Sequence, residues 1–339
     1  MSRAETTAAR IRIGISGWRY PPWRGTFYPK TLPQRLELQY ASTALPVIEI
    51  NGSFYSLQSP ASYAQWHADT PDDFIFCVKG PRYVTHMRRL KDVQKPLANF
   101  FASGLFNLRE KLGPILWQLP PNFKYDEQRL EDFLRLLPRD LAAAAALARK
   151  RDPFMKGRTR LAVDENRPLR HALEVRNETF RNPGYFALLK RHNVASVIAE
   201  SAGKWPLFED ITANFVYMRL HGDTEIYRSG YTDKSLRAWA ERVAAWHRGA
   251  EPRDARMMVA GDAAAGEVQR DVFCFFDNTD VKLRAPFDAQ SLAKMLGVER
   301  HCAAARSKPQ SKLGRRRSKQ AGIEIMPIVG RRKTKPAGR

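Results

Sequence analysis

Short apolar runs recur along this chain, and they end in polar or charged side chains that share one side-chain parity. In Val47-Ile48-Glu49-Ile50-Asn51, Glu49 and Asn51 point one way and Ile48 and Ile50 the other, because side chains alternate along a strand. Glu174 and Arg176 behave alike in Ala172-Leu173-Glu174-Val175-Arg176, as do Arg219 and His221 in Val216-Tyr217-Met218-Arg219-Leu220-His221. Strands that bury one face and charge the end of the other suit a common polar mouth. The pattern therefore locates a catalytic or binding site before any fold is assigned.

Eight such runs follow in order, at 11–16, 47–51, 74–79, 115–118, 172–176, 194–200, 215–221 and 272–278. Helix-like stretches lie between most of them, at 35–45, 60–68, 93–112, 127–137, 183–191, 233–247 and 288–296. The connection 142–170 is Ala-rich and then basic, and reads as a helix plus a loop; no helix is evident after 194–200. Strands this far apart are not hairpins, so they imply parallel βα units. Eight units close most naturally into a (β/α)8 TIM barrel. A doubly wound open sheet is the alternative, but no Gly-rich phosphate turn follows the first strand. The expected organisation is an α/β single-domain barrel over 11–300, with a flexible leader at 1–10 and a disordered basic tail at 301–339.

Taking the polar parity as inward gives Ser16, Glu49 and Asn51, Cys77 and Lys79, Gln118, Glu174 and Arg176, Ser196 and Glu200, Arg219 and His221, and Cys274 and Asn278. The opposite parity is mostly apolar, as outer helices require. Active sites of such barrels lie at the C-terminal strand ends, where these polar groups concentrate. The bland reading is an ionic filling, with Glu49 and Glu174 neutralising Arg176 and Arg219. Some pairing is needed in either case, because an unpaired buried charge costs several kcal/mol.

Composition narrows the classes further. Three cysteines, Cys77, Cys274 and Cys302, are too scattered for a disulfide framework or a zinc motif, and two sit in apolar runs, which suggests a reduced, cytoplasmic protein. No apolar run approaches the roughly 20 residues needed to span a bilayer, and the first ten residues lack a secretory h-region. Residues 303–339 carry +11 of the chain's net +22. Clustered Lys and Arg of that kind are expected to give weak, sequence-independent nucleic-acid affinity by releasing counterions.

Several segments resemble the YecE-like family, domain of unknown function 72. They are Gly14-Ile15-Ser16-Gly17-Trp18-Arg19-Tyr20, Trp23-Arg24-Gly25-Thr26-Phe27-Tyr28-Pro29, and Glu49-Ile50-Asn51-Gly52-Ser53-Phe54-Tyr55. Lys79 with Thr85-His86, the stretch 113–121, Glu174-Val175-Arg176 and Arg219-Leu220-His221-Gly222 continue the resemblance, which runs over 11–296. It implies a TIM barrel and supplies no reaction. Two positions depart from the family pattern: Glu200 stands where an Asp is usual, and Asp277-Asn278 where a pair of Asn is usual.

The chemistry these residues suggest is acid–base catalysis on an anionic small-molecule or nucleotide-like substrate, by a hydrolase or lyase. Glu49, Glu174 and His221 are the candidate catalytic groups. Ser16, Trp18, Asn51, Lys79, His86, Gln118, Arg176, Arg219 and Asn278 are the candidate substrate-binding groups, with Arg suited to bidentate contact with phosphate or carboxylate. Trp23, Phe27 and Tyr28 are read as rim packing. A divalent metal held by Glu49, Glu174 or Glu200 stays open, although no H-E-x-x-H or paired-Cys motif is present. The rival class is a non-catalytic nucleic-acid-binding protein that uses the barrel rim and the tail.

Overall fold

The computed structural model describes residues 9–259, 268–279 and 281–300. Eight parallel strands form a closed barrel in sequence order: β1 (Ile11–Ser16), β2 (Val47–Ile50), β3 (Ile75–Lys79), β4 (Leu112–Gln118), β5 (His171–Glu174), β6 (Val194–Glu200), β7 (Phe215–Leu220) and β8 (Asp271–Phe276). β8 pairs back onto β1 through five register partners, from Ile11 with Val272 to Ile15 with Phe276. The basic tail and the first eight residues of the leader lie outside the described residues.

Around the strands run α1 (Glu37–Ala44), α2 (Gly52–Tyr55), α3 (Pro60–Ala68), α4 (Gln94–Ala102), α5 (Glu127–Leu136), α6 (Leu141–Ala148), α7 (Pro183–Arg191), α8 (Asp233–His247) and α9 (Ala285–Met295). Their starts are written in the sequence. Asp126, Asp140 and Thr232 each accept a backbone N–H from the first turn, and Pro60 and Pro183 occupy opening positions where a missing N–H costs nothing. α8 buries Leu236, Trp239, Ala240, Val243 and Trp246, the spacing of one helical stripe. No helix follows β6 among the described residues. Instead Asp210 accepts the N–H groups of Met258 and Val259, and Glu209 accepts that of Arg256, which ties the 201–214 connection to 252–259. Among the described residues no helix is long and apolar enough to cross a membrane.

Two buried clusters separate inside from outside. The inner one includes Val47, Cys77, Leu116, Ala172, Tyr217 and Phe275, while Ile48, Ile50, Val78, Met218 and Leu220 belong to the outer layer under the helices. Fully burying one such apolar side chain is worth about 1.5–3 kcal/mol. Gly14 marks the tightest inner contact, since a Cβ there would meet the carbonyl oxygen of Val47 at 1.9 Å. Cys77 and Cys274 are buried free thiols.

Register corrects the expected inward set on two strands. Ala199 lies beside Arg219 and Glu200 beside Leu220, so β6 turns Ala195, Val197 and Ala199 inward and Ser196 and Glu200 outward. Phe273 and Phe275 lie beside Tyr217 and Arg219, so Cys274 faces the helices. The inward Ala199 and Phe275 flank Arg219, so small and aromatic side chains leave room for its guanidinium.

Candidate functional site

The floor of the C-terminal mouth is one ionic network. Arg219, 1% exposed, donates from Nη1 to Glu174 Oε2 at 2.7 Å and from Nη2 to Glu49 Oε1 at 3.0 Å and Asp277 Oδ2 at 2.9 Å. Ser16 Oγ donates to Glu49 Oε1 at 3.0 Å, Tyr217 OH to Glu49 Oε2 at 2.6 Å, and Arg176 Nε to Glu174 Oε1 at 2.7 Å. Every oxygen of both glutamates is therefore bonded. Burial alone would raise the Glu174 carboxyl, but Arg176 and Arg219 outweigh it and hold it far below the usual range. Asp277 is held down in the same way, chiefly by Arg219 against the effect of burial.

His221 is fully buried beside this network. Its Nε2 lies 3.5 Å from Nη1 of Arg219, and its Nδ1 lies 3.2 Å from Asp277 Oδ2. Arginine offers no lone pair, so Nε2 is the accepting nitrogen and the proton belongs on Nδ1, facing the carboxylate. Burial, and Arg219 after it, lower its pKa and favour the neutral ring. Trp205 and Tyr227 cover it edge-on at 5.7 and 5.2 Å.

Above the floor opens a cleft of about 610 Å3, lined among others by Asn51, Phe54, Lys79, His86, Gln118, Arg176 and Asp277. Lys79 is 8% exposed, and its ammonium sits 4.5 Å from the Phe54 ring centre. No carboxylate lies within ion-pair distance of it among the described residues. Burial first, and Arg219 next, lower it from 10.5 to about 8. His86 projects from a π turn, Tyr83–Met87, with Nδ1 bonded to Thr85 Oγ1 at 2.9 Å and its ring edge on Phe54 at 5.0 Å. Burial, then Lys79 and Arg176, lower it to about 4, so the ring is neutral at pH 7. The Arg176 guanidinium stacks on Trp205 at 3.6 Å, which restrains it in the cleft wall. Asn51 Oδ1 is buried there without a hydrogen-bond partner among the described residues.

Six of the expected binding residues thus line one cleft: Asn51, Lys79, His86, Gln118, Arg176 and Arg219. Ser16 sits below them in the floor. The structure moves the others. Glu49, Glu174 and His221, read as catalytic, are fully buried behind the cleft wall, and both glutamates are bonded to Arg219. Trp18 packs against Trp66 at 5.2 Å and Phe76 at 6.4 Å, joining Trp23, Phe27 and Tyr28 in the rim, because aromatic burial there outcompetes exposure to the mouth. Asn278 turns away and donates from Nδ2 to Ser229 O and to Asp288 Oδ2, bracing the start of α9. Its neighbour Asp277 is the residue that reaches the cleft. Asp277 was legible in principle, since it shares parity with Phe273 and Phe275 once the phase of β8 is right. Tyr217 shares the parity of Arg219 and His221. Trp205 and Tyr227 lie on loops, where parity has no meaning.

The residues present do not suit the divalent ion kept open above. The centre of the carboxylates is filled by the Arg219 guanidinium, Glu200 faces away, and no group of three or more His, Cys, Asp and Glu among the described residues could hold a metal.

A closed eight-stranded parallel barrel with its polar cleft at the C-terminal strand ends defines the (β/α)8 barrel class. Within that class the chain belongs to the family described as protein of unknown function DUF72, whose model matches residues 12–313. It is 25% identical over 249 residues to UPF0759 protein YecE of Escherichia coli O157:H7, covering 71% of this chain and 84% of that protein. UPF0759 protein YunF of Bacillus subtilis is 30% identical over 118 residues, 33% of this chain and 41% of its own. The fold is similar to that of a DUF72 family protein of Thermotoga maritima, with TM-score 0.63, 23% identity, and coverage of 85% of this chain and 99% of that one. A DUF72 family protein of Enterococcus faecalis gives 0.60 at 16% identity, covering 85% and 96%.

Proposed function

We propose that this protein is an enzyme that binds the anionic group of a small molecule, a phosphate or a carboxylate, in the cleft and transfers protons there. Lys79 carries the reading. It is a buried ammonium on the cleft wall with no carboxylate in reach among the described residues, and such a charge costs several kcal/mol until an anion joins it. Arg176, held flat against Trp205, offers a fork beside it. Asp277 is ionised and His86 neutral at pH 7, so both can take a proton, while Lys79 can give one. Taking one proton and returning another suits a hydrolase or a lyase. Glu49, Glu174 and His221 act as positioning residues that hold Arg219 and Asp277.

The test is titration calorimetry with inorganic phosphate and a panel of phosphorylated and carboxylated metabolites. Binding should weaken as pH rises through about 8, where Lys79 loses its charge. Lys79→Arg should keep the affinity and lose that limb, because arginine stays charged beyond pH 12. Hits should then be turned over by the wild type and not by Asp277→Asn. A panel without one binder, or binding indifferent to Lys79→Ala, sinks the proposal.

A further inference from the structure

A second cavity of about 620 Å3 adjoins the cleft and shares Phe54, Tyr55, Arg82 and Met87 with it. Its character is different. Three rings stand unusually exposed on its wall: Tyr55 at 67%, Tyr83 at 47% and Phe154 at 66%. Clustered exposed aromatics mark a binding surface more often than a random patch does. Phe154 is presented on a fixed turn, since Asn99 donates to Asp152 Oδ2 at 2.7 Å and Asp152 N–H donates back to Asn99 Oδ1 at 2.8 Å. That turn belongs to the long 142–170 connection, which the anionic cleft leaves without a role. Polar groups, Arg88, Lys95 and Asp152, stand among the rings. Arg88 is paired with Asp92 and Asp152 with Asn99, so the wall combines exposed rings with fixed polar edges, which suits a flat ring with hydrogen-bonding edges.

Resting on the anionic-cleft reading above, we infer that the ligand is bipartite and of the nucleoside monophosphate class. Its phosphate lies by Lys79 and Arg176, and its base stacks among Tyr55, Tyr83 and Phe154. The π turn Tyr83–Met87 serves both halves: His86 lines the cleft, Tyr83 the second cavity, and Met87 both.

Calorimetry with AMP, adenosine and inorganic phosphate tests this on the full chain. AMP should bind at least tenfold tighter than phosphate. Phe154→Ala and Tyr83→Ala should each weaken AMP roughly tenfold, the scale of one lost base stack, and leave phosphate unchanged. Both side chains are exposed, so the variants should fold, which circular dichroism checks. AMP no tighter than phosphate, or AMP binding untouched by both variants, overturns the inference and leaves the anionic cleft standing. Phosphate binding unchanged in Lys79→Ala overturns the cleft reading itself, whatever the rings do. Preference for a single-stranded oligonucleotide over AMP would also overturn the inference, since the rings would then be a platform for a strand.

Discussion

The two mouths of the barrel hold ionic clusters of opposite stoichiometry. At the N-terminal mouth one carboxylate serves three donors: Asp271 accepts the Arg10 backbone N–H at 2.8 Å, Arg12 Nη1 at 3.0 Å and Arg170 Nη1 at 2.7 Å. Both guanidiniums lie over Phe273, and Arg170 also covers Phe215, so the cluster caps the inner core. At the C-terminal mouth one guanidinium, Arg219, serves three carboxylates, and further cations stand around a cleft. Charge alone therefore does not mark the working end of this barrel. The mark is a cation left without its anion next to open space, and Lys79 has that while Arg12 and Arg170 do not.

The contrast can be broken most severely at Arg219. Arg219→Met leaves three carboxylates facing one another and should cost about 3–5 kcal/mol or prevent folding, as removing one partner of a buried pair does. Urea denaturation measures it, and a loss below about 1 kcal/mol would show that the floor is not held by charge. Lys79→Met should move stability the other way. The folded protein disfavours the ammonium, so the unfolded chain binds that proton more tightly, and wild-type stability should rise between about pH 8 and 10.5. At pH 7 the burial cost is fully present, and Met should gain on the order of 1–3 kcal/mol while phosphate binding is lost. A variant no more stable than wild type at pH 7 would mean that Lys79 is already neutralised.

Smaller effects should come from the closed end. Asp271→Asn at the partly buried cap should cost about 1–2 kcal/mol and leave phosphate affinity unchanged, since its hydrogen bonds among the described residues go to Arg10, Arg12 and Arg170 at the opposite mouth. Altered affinity would join the two mouths energetically. Asn278→Ala should cost about 1 kcal/mol through its lost bonds to Ser229 and Asp288, again without touching ligand binding. A drop in phosphate affinity there would return Asn278 to the site.

Most of the fold and part of the site were legible from alternation. Runs such as 47–51 and 215–221 contrast a polar face with an apolar one, so their phase is readable without a partner strand. β8 reads Asp-Val-Phe-Cys-Phe-Phe, apolar on both faces, and only its hydrogen-bond register with Arg219 sets its phase. Alternation alone therefore favours Asn278, whereas the register turns Asp277 inward. Depth was also out of reach. Parity says that Glu49 and Glu174 point inward, but whether they end in the cleft or beneath it depends on Tyr217, Arg176 and Arg219 closing over their oxygens.

The π turn at Tyr83–Met87 has a consequence for how such a cleft can change. Its step is set by the Arg88 N–H reaching back five residues to the Tyr83 carbonyl at 2.8 Å. Loss of one residue there would tighten the turn toward α-helical geometry and rotate the turn's later side chains by about 100°. His86 would leave the cleft and the wall shared by the two cavities would be redrawn, with no change to any strand. The lining of this cleft can therefore change by a one-residue deletion as well as by substitution.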